Sequence, residues 1–226
     1  MQTDTKTKFD INMEKIRVIN HPVICQSLCT MRDKATTCQD VRIATRKITR
    51  ILLYEASKNL PLIEQEITTP LETFKTQTIN PDINIIISPI LRAGLIFTDE
   101  AIDILPQACI RHIGMYRDEE TLKPVWYYNK VPMIAKDPEK FYIYITDPML
   151  ATGNSLLEAI NLYARKGIPI DQIKVICIIA APNGIAKIQE AYPEIEIITA
   201  ALDRELNEKG YILPGMGDAG DRIFNT

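Results

Sequence analysis

Four short, almost uninterrupted apolar runs constrain this chain more than any other feature. They are Ile83–Ser88 (INIIIS), Phe141–Thr146 (FYIYIT), Ile173–Ala181 (IKVICIIAA) and Ile195–Leu202 (IEIITAAL). Each is short and rich in Ile, Val or Tyr, so each predicts a strand covered on both faces, as in a parallel sheet. A weaker strand candidate covers Ile110–Tyr116. Helical patterning falls between the runs, at about Leu95–Leu105, Ser155–Lys166 and Gly184–Tyr192. In the second of these, Leu156, Leu157, Ile160, Tyr163 and Ala164 supply the apolar side, and Gly167 supplies the stop. Upstream, Thr37–Ser57 reads as a longer helix with Val41, Ala44, Ile48, Ile51 and Leu52 on one stripe. Between these elements Pro61, Pro70 and Pro81 interrupt residues 58–82. Strands alternating with helices predict right-handed βαβ units and an α/β class.

Composition removes several other classes. The longest stretch free of charged residues and histidine, Val175–Ala186, has 12 residues and contains Pro182, Asn183 and Gly184. A membrane span needs about 20 apolar residues. The opening MQTDTKTKFD lacks the apolar centre of a secretory signal, so no membrane partner and a cytoplasmic location are expected. Twenty-six basic and 29 acidic residues leave a net charge of −3, which argues against a broad basic face for nucleic acid. The five cysteines are an odd number, against a disulfide framework. Cys25 and Cys29, with His21 nearby, match no standard zinc spacing, and no resident metal is expected. One domain over residues 1–226 is expected, with residues 1–12 partly disordered.

In open α/β sheets, ligands bind beyond the carboxyl ends of the strands. The loops after Ser88, Tyr116, Thr146 and Leu202 are therefore the places to look. After FYIYIT comes Asp147-Pro148-Met149-Leu150-Ala151-Thr152-Gly153-Asn154-Ser155, and then a helix. The first amides of a helix are unpaired and the helix dipole favours an anion there. Thr152 and Ser155 add hydroxyls, and Gly153 lets the backbone come close to a phosphate. Asp147, at the strand end, can accept hydrogen bonds from two neighbouring ribose hydroxyls. The combination reads as a cradle for a ribose 5-phosphate. It is not a Walker loop, because GxxxxGK[ST] and its lysine are missing.

Gly215-Met216-Gly217-Asp218-Ala219-Gly220 matches GxGxxG, but not in a dinucleotide-binding context. That motif opens a helix inside a βαβ unit, whereas only six residues follow Gly220 and neither helix nor strand is expected there. A glycine-rich segment can instead turn tightly and offer its own amides and carbonyls to a flat base. Arg92 and Arg117 each follow a candidate strand, and arginine forks bind phosphoryl oxygens. Two arginines and one phosphate loop suit a ligand with separate phosphate groups.

PILRAG (89–94), GMYRDEETL (114–122), DPMLATG (147–153) and GYILPGMGDAGDRIF (210–224) closely resemble the uracil phosphoribosyltransferase family. HP (21–22), MRD (31–33) and LLYEAS (52–57) resemble its N-terminal region. The resemblance covers about residues 20–226. It implies a type I phosphoribosyltransferase fold: a mostly parallel central sheet flanked by helices, with a small hood from N- and C-terminal segments, the latter at 203–226. It implies the conversion of uracil and 5-phosphoribosyl diphosphate to UMP and diphosphate, in pyrimidine salvage. Arg92, Arg117 and Asp218 are then the expected catalytic residues. Those three would bind the donor together with Asp147, Pro148, Met149, Leu150, Ala151, Thr152, Gly153, Asn154 and Ser155. Ile212, Gly217, Asp218 and Ala219 would bind uracil. Mg²⁺ would arrive on the substrate's diphosphate, and the loop Arg117–Tyr128 would act as a lid. The resemblance also implies a homodimer or homotetramer and, in some relatives, activation by GTP. One departure stands out: the family usually has a second glycine where this chain has Asn154. On sequence alone, Asn154→Gly is expected to keep or raise donor affinity.

Two rival readings use the same fold. One is a non-catalytic nucleotide sensor or regulator; the intact loop, both arginines and the C-terminal segment favour catalysis. The other is a transferase for another base, such as a purine, which the C-terminal resemblance opposes.

Overall fold

The computed structural model describes residues 9–117, 124–131 and 136–226. In chain order, its first elements are β1 (Ile16–Val18), α1 (Pro22–Arg32), α2 (Cys38–Ser57), β2 (Leu62–Thr68) and β3 (Thr73–Ile79). Next come β4 (Asn84–Leu91), a 3₁₀ turn (Ala93–Phe97), α3 (Thr98–Ile104), β5 (Cys109–Ile110), β6 (Ile113–Arg117) and β7 (Pro124–Asn129). Then follow β8 (Phe141–Thr146), β9 (Met149–Leu150), α4 (Asn154–Ala164), β10 (Ile173–Ala180) and α5 (Pro182–Ala191). The chain closes with β11 (Glu196–Leu202), β12 (Glu205–Leu206), β13 (Ile212–Leu213) and α6 (Ala219–Phe224).

The main sheet runs β1-β11-β10-β8-β4-β6-β7, with β5 added to β4 and β9 to β10. Every pairing is parallel except β6 with β7. All eight residues of β10 are buried, as its central place demands. From Val175 to Ile178 its side chains alternate between two cores. Ile176 and Ile178 join α2, Phe97 and Ala101 on one face. Val175 and Cys177 join Leu156, Ile160 and Tyr163 of α4 and Ile185 and Ile188 of α5 on the other. Two-sided burial explains why these strands read as continuous apolar runs. The carboxyl ends of β4, β6, β8 and β11 carry Arg92, Arg117, Asp147 and Asp203 in turn.

Several elements depart from the sequence reading. Residues 58–82 form a β2–β3 hairpin in full antiparallel register from Leu62↔Ile79 to Thr68↔Thr73. All of β2 is exposed, so the apolar alternation that marks a half-buried strand is missing. The run at Ile83 continues to Leu91, so Arg92 stands at a strand end and not in a loop after Ser88. Arg111 and His112 split Ile110–Tyr116 into β5 and β6. A helix, α6, does form at Ala219–Phe224, capped by the Asp218 side chain; burial of Ile223 in the core compensates for its shortness. Of the N-terminal stretch expected to be disordered, residues 1–8 lie outside the described residues. Asn12 is held: its N–H donates to Gln189 Oε1 and its carbonyl accepts from Gln189 Nε2, both at 2.9 Å. Among the described residues, no helix is long and apolar enough to cross a membrane.

Candidate active site

At the end of β8, the Asp147 N–H donates to Ile176 O (3.2 Å), and the Met149 N–H donates to Asp147 Oδ1 (3.2 Å). Burial pushes the Asp147 carboxyl up to about 7, against the milder downward pull of that amide. The chain then continues in the same direction as β9, which extends the pairing with β10 by matching Met149 with Ile179 and Leu150 with Ala180. Pro148 and Leu150 are buried, so within the predicted loop they serve the sheet. Asp147, Met149 and residues 151–156 line an open pocket of about 140 Å³.

Gly153 carries the turn into α4 with φ of +79°, a conformation that L side chains adopt only with strain. A Cβ there would lie 2.8 Å from Gly184 O. The requirement is reciprocal: a Cβ on Gly184 would lie 2.6 Å from Ala151 O. The loop is thus moulded against the first turn of α5. Among the described residues no side chain caps α4, and its first turn has no acidic residue. The helix dipole at this end favours an anion.

The second half of the site is the C-terminal segment. β12 and β13 form a short antiparallel pair, and the Leu213–Pro214 peptide is cis, as is Leu91–Arg92. Gly215 has φ of +57°, and a Cβ there would sit 2.1 Å from Ile212 O, so only glycine closes this turn. Ile212 and Ala219 are buried, whereas Gly217 and Asp218 have a more open setting, with Asp218 exposed. Asp218 Oδ1 accepts from the Asp221 N–H at 3.0 Å.

Asp203 anchors this segment. Its carboxylate takes both arms of Arg32, at 2.7 and 2.6 Å, and the Gly215 N–H at 2.8 Å. Arg32 also donates to Gly215 O at 2.8 Å. Arg222 reaches Met216 O (3.1 Å) and Asp33 O (2.6 Å), and Arg42 reaches Ile223 O (2.6 Å). N- and C-terminal parts are thereby bound into one cover. The two halves of the site are joined through the end of β10. Ala181 N–H donates to Leu150 O, Asp203 N–H donates to Ala180 O, and Gly215 N–H donates to Asp203, each at 2.8 Å.

Arg92 is largely exposed, with Nη2 3.9 Å from Asp221 Oδ1 at the start of α6. The fold therefore brings Arg92 to the C-terminal segment. Arg117 ends β6; its side chain, and residues 118–123 of the expected lid, lie outside the described residues. The remainder of that stretch belongs to β7, where the Tyr127 ring lies 6.4 Å from that of Tyr116. Sequence reasoning missed Arg32, Asp203 and Gly184. Asp203 directly follows an apolar run, which was a usable signal. The other two gain meaning only from the contacts that folding creates.

A parallel sheet with an uncapped strand–loop–helix cradle and a hood over its carboxyl edge defines the type I phosphoribosyltransferase fold. The adenine phosphoribosyltransferase from Trypanosoma brucei, solved with AMP, pyrophosphate and ribose-5-phosphate, shares it, with TM-score 0.53 and 12% identity over 85% of this chain and 87% of that one. The uracil phosphoribosyltransferase family matches residues 18–226, and the chain belongs to that family. It is 47% identical over 210 residues to the uracil phosphoribosyltransferase of Dictyoglomus thermophilum, covering 92% of this chain and 98% of the relative. It is 45% identical over 217 residues to that of Lachnoclostridium phytofermentans, covering 95% and 100%. The solved AQ2163 protein from Aquifex aeolicus superposes with TM-score 0.83 at 35% identity, covering 92% of this chain and 97% of that one.

Proposed function

We propose that this chain transfers a phosphoribosyl group from 5-phosphoribosyl diphosphate to uracil, forming UMP and diphosphate in pyrimidine salvage. The observation that carries the reading is the hydrogen-bonded span from Leu150 through Ala180 and Asp203 to Gly215, which fixes an anion cradle relative to a glycine-turned segment. Loop residues 151–155 and the start of α4 hold the 5-phosphate. Asp147 accepts from the ribose hydroxyls. Ile212, Gly217, Asp218 and Ala219 grip the base edge. Departure of diphosphate leaves positive charge on the sugar and builds negative charge on the leaving group, which Arg92 and Arg117 stabilise. Uracil N1 forms the new bond to C1 as the C1–oxygen bond breaks, and the N1 proton is released along with the diphosphate; holding the two reactants together supplies much of the acceleration.

Mg²⁺ fits the donor set as a companion of the diphosphate. Asp218 and Asp221, exposed beside Arg92, are hard oxygen donors of the kind it takes and are the residues that would face it. When bound, it neutralises charge on the leaving diphosphate. Assembly with further copies is supported by the β2–β3 arm, which exposes Leu62, Ile63, Ile67 and Phe74. Five free thiols suit the reducing cytoplasm. The described residues act as one unit, because the last helix is bonded to α1 and α2.

The deciding assay supplies Mg²⁺, 5-phosphoribosyl diphosphate and one base at a time, with and without the GTP that the resemblance implies for some relatives. UMP from uracil, with no product from purines, is expected; binding without turnover would favour a nucleotide sensor.

Asp218→Asn is expected to raise the KM for uracil about tenfold and the donor KM by a smaller factor. Asparagine can still cap α6, so the loss isolates the charge, and an equal loss for both substrates would contradict the assignment.

Asp147→Asn tests the raised carboxyl. A buried carboxylic acid costs nothing while protonated; the cost of ionising it appears above its unfolded value of 3.8 and is complete above about 7. The variant should therefore be more stable than wild type at pH 8, by on the order of 2–4 kcal/mol, and equal to it at pH 4. Donor affinity should fall about tenfold at pH 8, and the rise in wild-type affinity through pH 7 should flatten. Thermal melts and donor titrations across pH 6–8 read both effects.

A further inference from the structure

Lys187 has no part in the mechanism above, yet it reaches the phosphate loop. Gly184 is the residue of α5 that packs against Ala151 and Gly153. Lys187 lies three positions later, one turn along the same helix face. Its Nζ donates to Asn154 Oδ1, and Asn154 lines the same pocket as Thr152, Gly153 and Ser155. Among the described residues, Lys187 makes no ion pair. A neutral amide partner fixes the ammonium without cancelling its charge, and an ammonium has two further N–H donors to offer. The result is a localised cation at the mouth of a loop that ends on an uncapped helix.

We propose that Lys187, positioned by Asn154, strengthens binding of the monophosphate end of the sugar ligand. The inference rests on the phosphoribosyl reading of this loop. It assigns Lys187 to affinity and not to turnover, because the 5-phosphate is separated from the reacting anomeric carbon by the sugar. It also gives Asn154 a purpose that glycine cannot serve. The sign expected for Asn154→Gly from sequence alone is therefore reversed: that variant should lose affinity.

The test compares wild type with Lys187→Met, Lys187→Arg, Asn154→Gly and the Lys187→Met/Asn154→Gly double variant. Ribose 5-phosphate binding is measured by calorimetry at low and high salt, alongside steady-state kinetics. Lys187→Met should weaken ribose 5-phosphate binding about three- to fivefold at low salt, with a smaller loss at high salt. Donor KM should rise in parallel, while uracil KM and kcat stay within about twofold. Lys187→Arg should recover most of the affinity. Asn154→Gly should lose part of it, and the double variant should be no worse than Lys187→Met alone. Wild-type affinity in Lys187→Met at low salt would overturn the proposal, as would strictly additive losses in the double variant. If wild type forms no UMP, the uracil reading fails, while ribose 5-phosphate binding still decides the part played by Lys187.

Discussion

Arg92→Ala is expected to lower kcat about a hundred- to a thousandfold and to move the melting temperature by no more than about 2 °C. The asymmetry follows from where Arg92 stands. Its side chain is 61% exposed, and among the described residues its one ion pair is a 3.9 Å approach to the exposed Asp221. Such pairs contribute at most about 1 kcal/mol. Nothing in the core depends on the guanidinium, whereas on the proposed function charge developing on the diphosphate does. Steady-state kinetics together with a thermal melt separate the two quantities. Unchanged kinetics would remove Arg92 from the site, and a collapse in stability would make it a structural residue.

Asp203→Ala should have the opposite profile. The Asp203 side chain is 6% exposed and accepts from Arg32 twice and from Gly215. Removing it strands a guanidinium and a main-chain N–H in a partly buried setting, a loss of about 3–5 kcal/mol. For a chain of this size that is a fall of about 10 °C in melting temperature. Uracil KM should rise steeply, because the turn at Gly215 loses its anchor, while ribose 5-phosphate binding changes less. The paired variant Arg32→Met/Asp203→Leu should recover much of the stability but not the affinity for uracil. A loss below about 1 kcal/mol in Asp203→Ala would show that other contacts, such as those of Arg222, suffice to hold the segment.

The legible parts of this protein were those that a linear pattern encodes. Strands buried on both faces leave continuous apolar runs, so β8 was found residue for residue and β10 and β11 to within one residue. The strand–loop–helix arrangement of the candidate cradle was legible because its parts are consecutive in sequence. What escaped was encoded by folding. The β2–β3 arm has no buried face and hence no apolar alternation. The short α6 is stabilised by distant partners, with Ile223 in the core and Arg42 on its carbonyl. Arg32 and Asp203 are 171 positions apart, and Lys187 and Asn154 are 33 apart. No spacing rule links such pairs.

The bonded span from Leu150 to Gly215 uses main-chain groups at every step except the Asp203 carboxylate. On the proposed function, it acts as a rigid ruler between the sugar end and the base end. Substitutions at 216–219 can then retune which ring is accepted without disturbing the grip on the phosphate. Change of base preference in such a scaffold is a local event, and the cradle can be inherited intact.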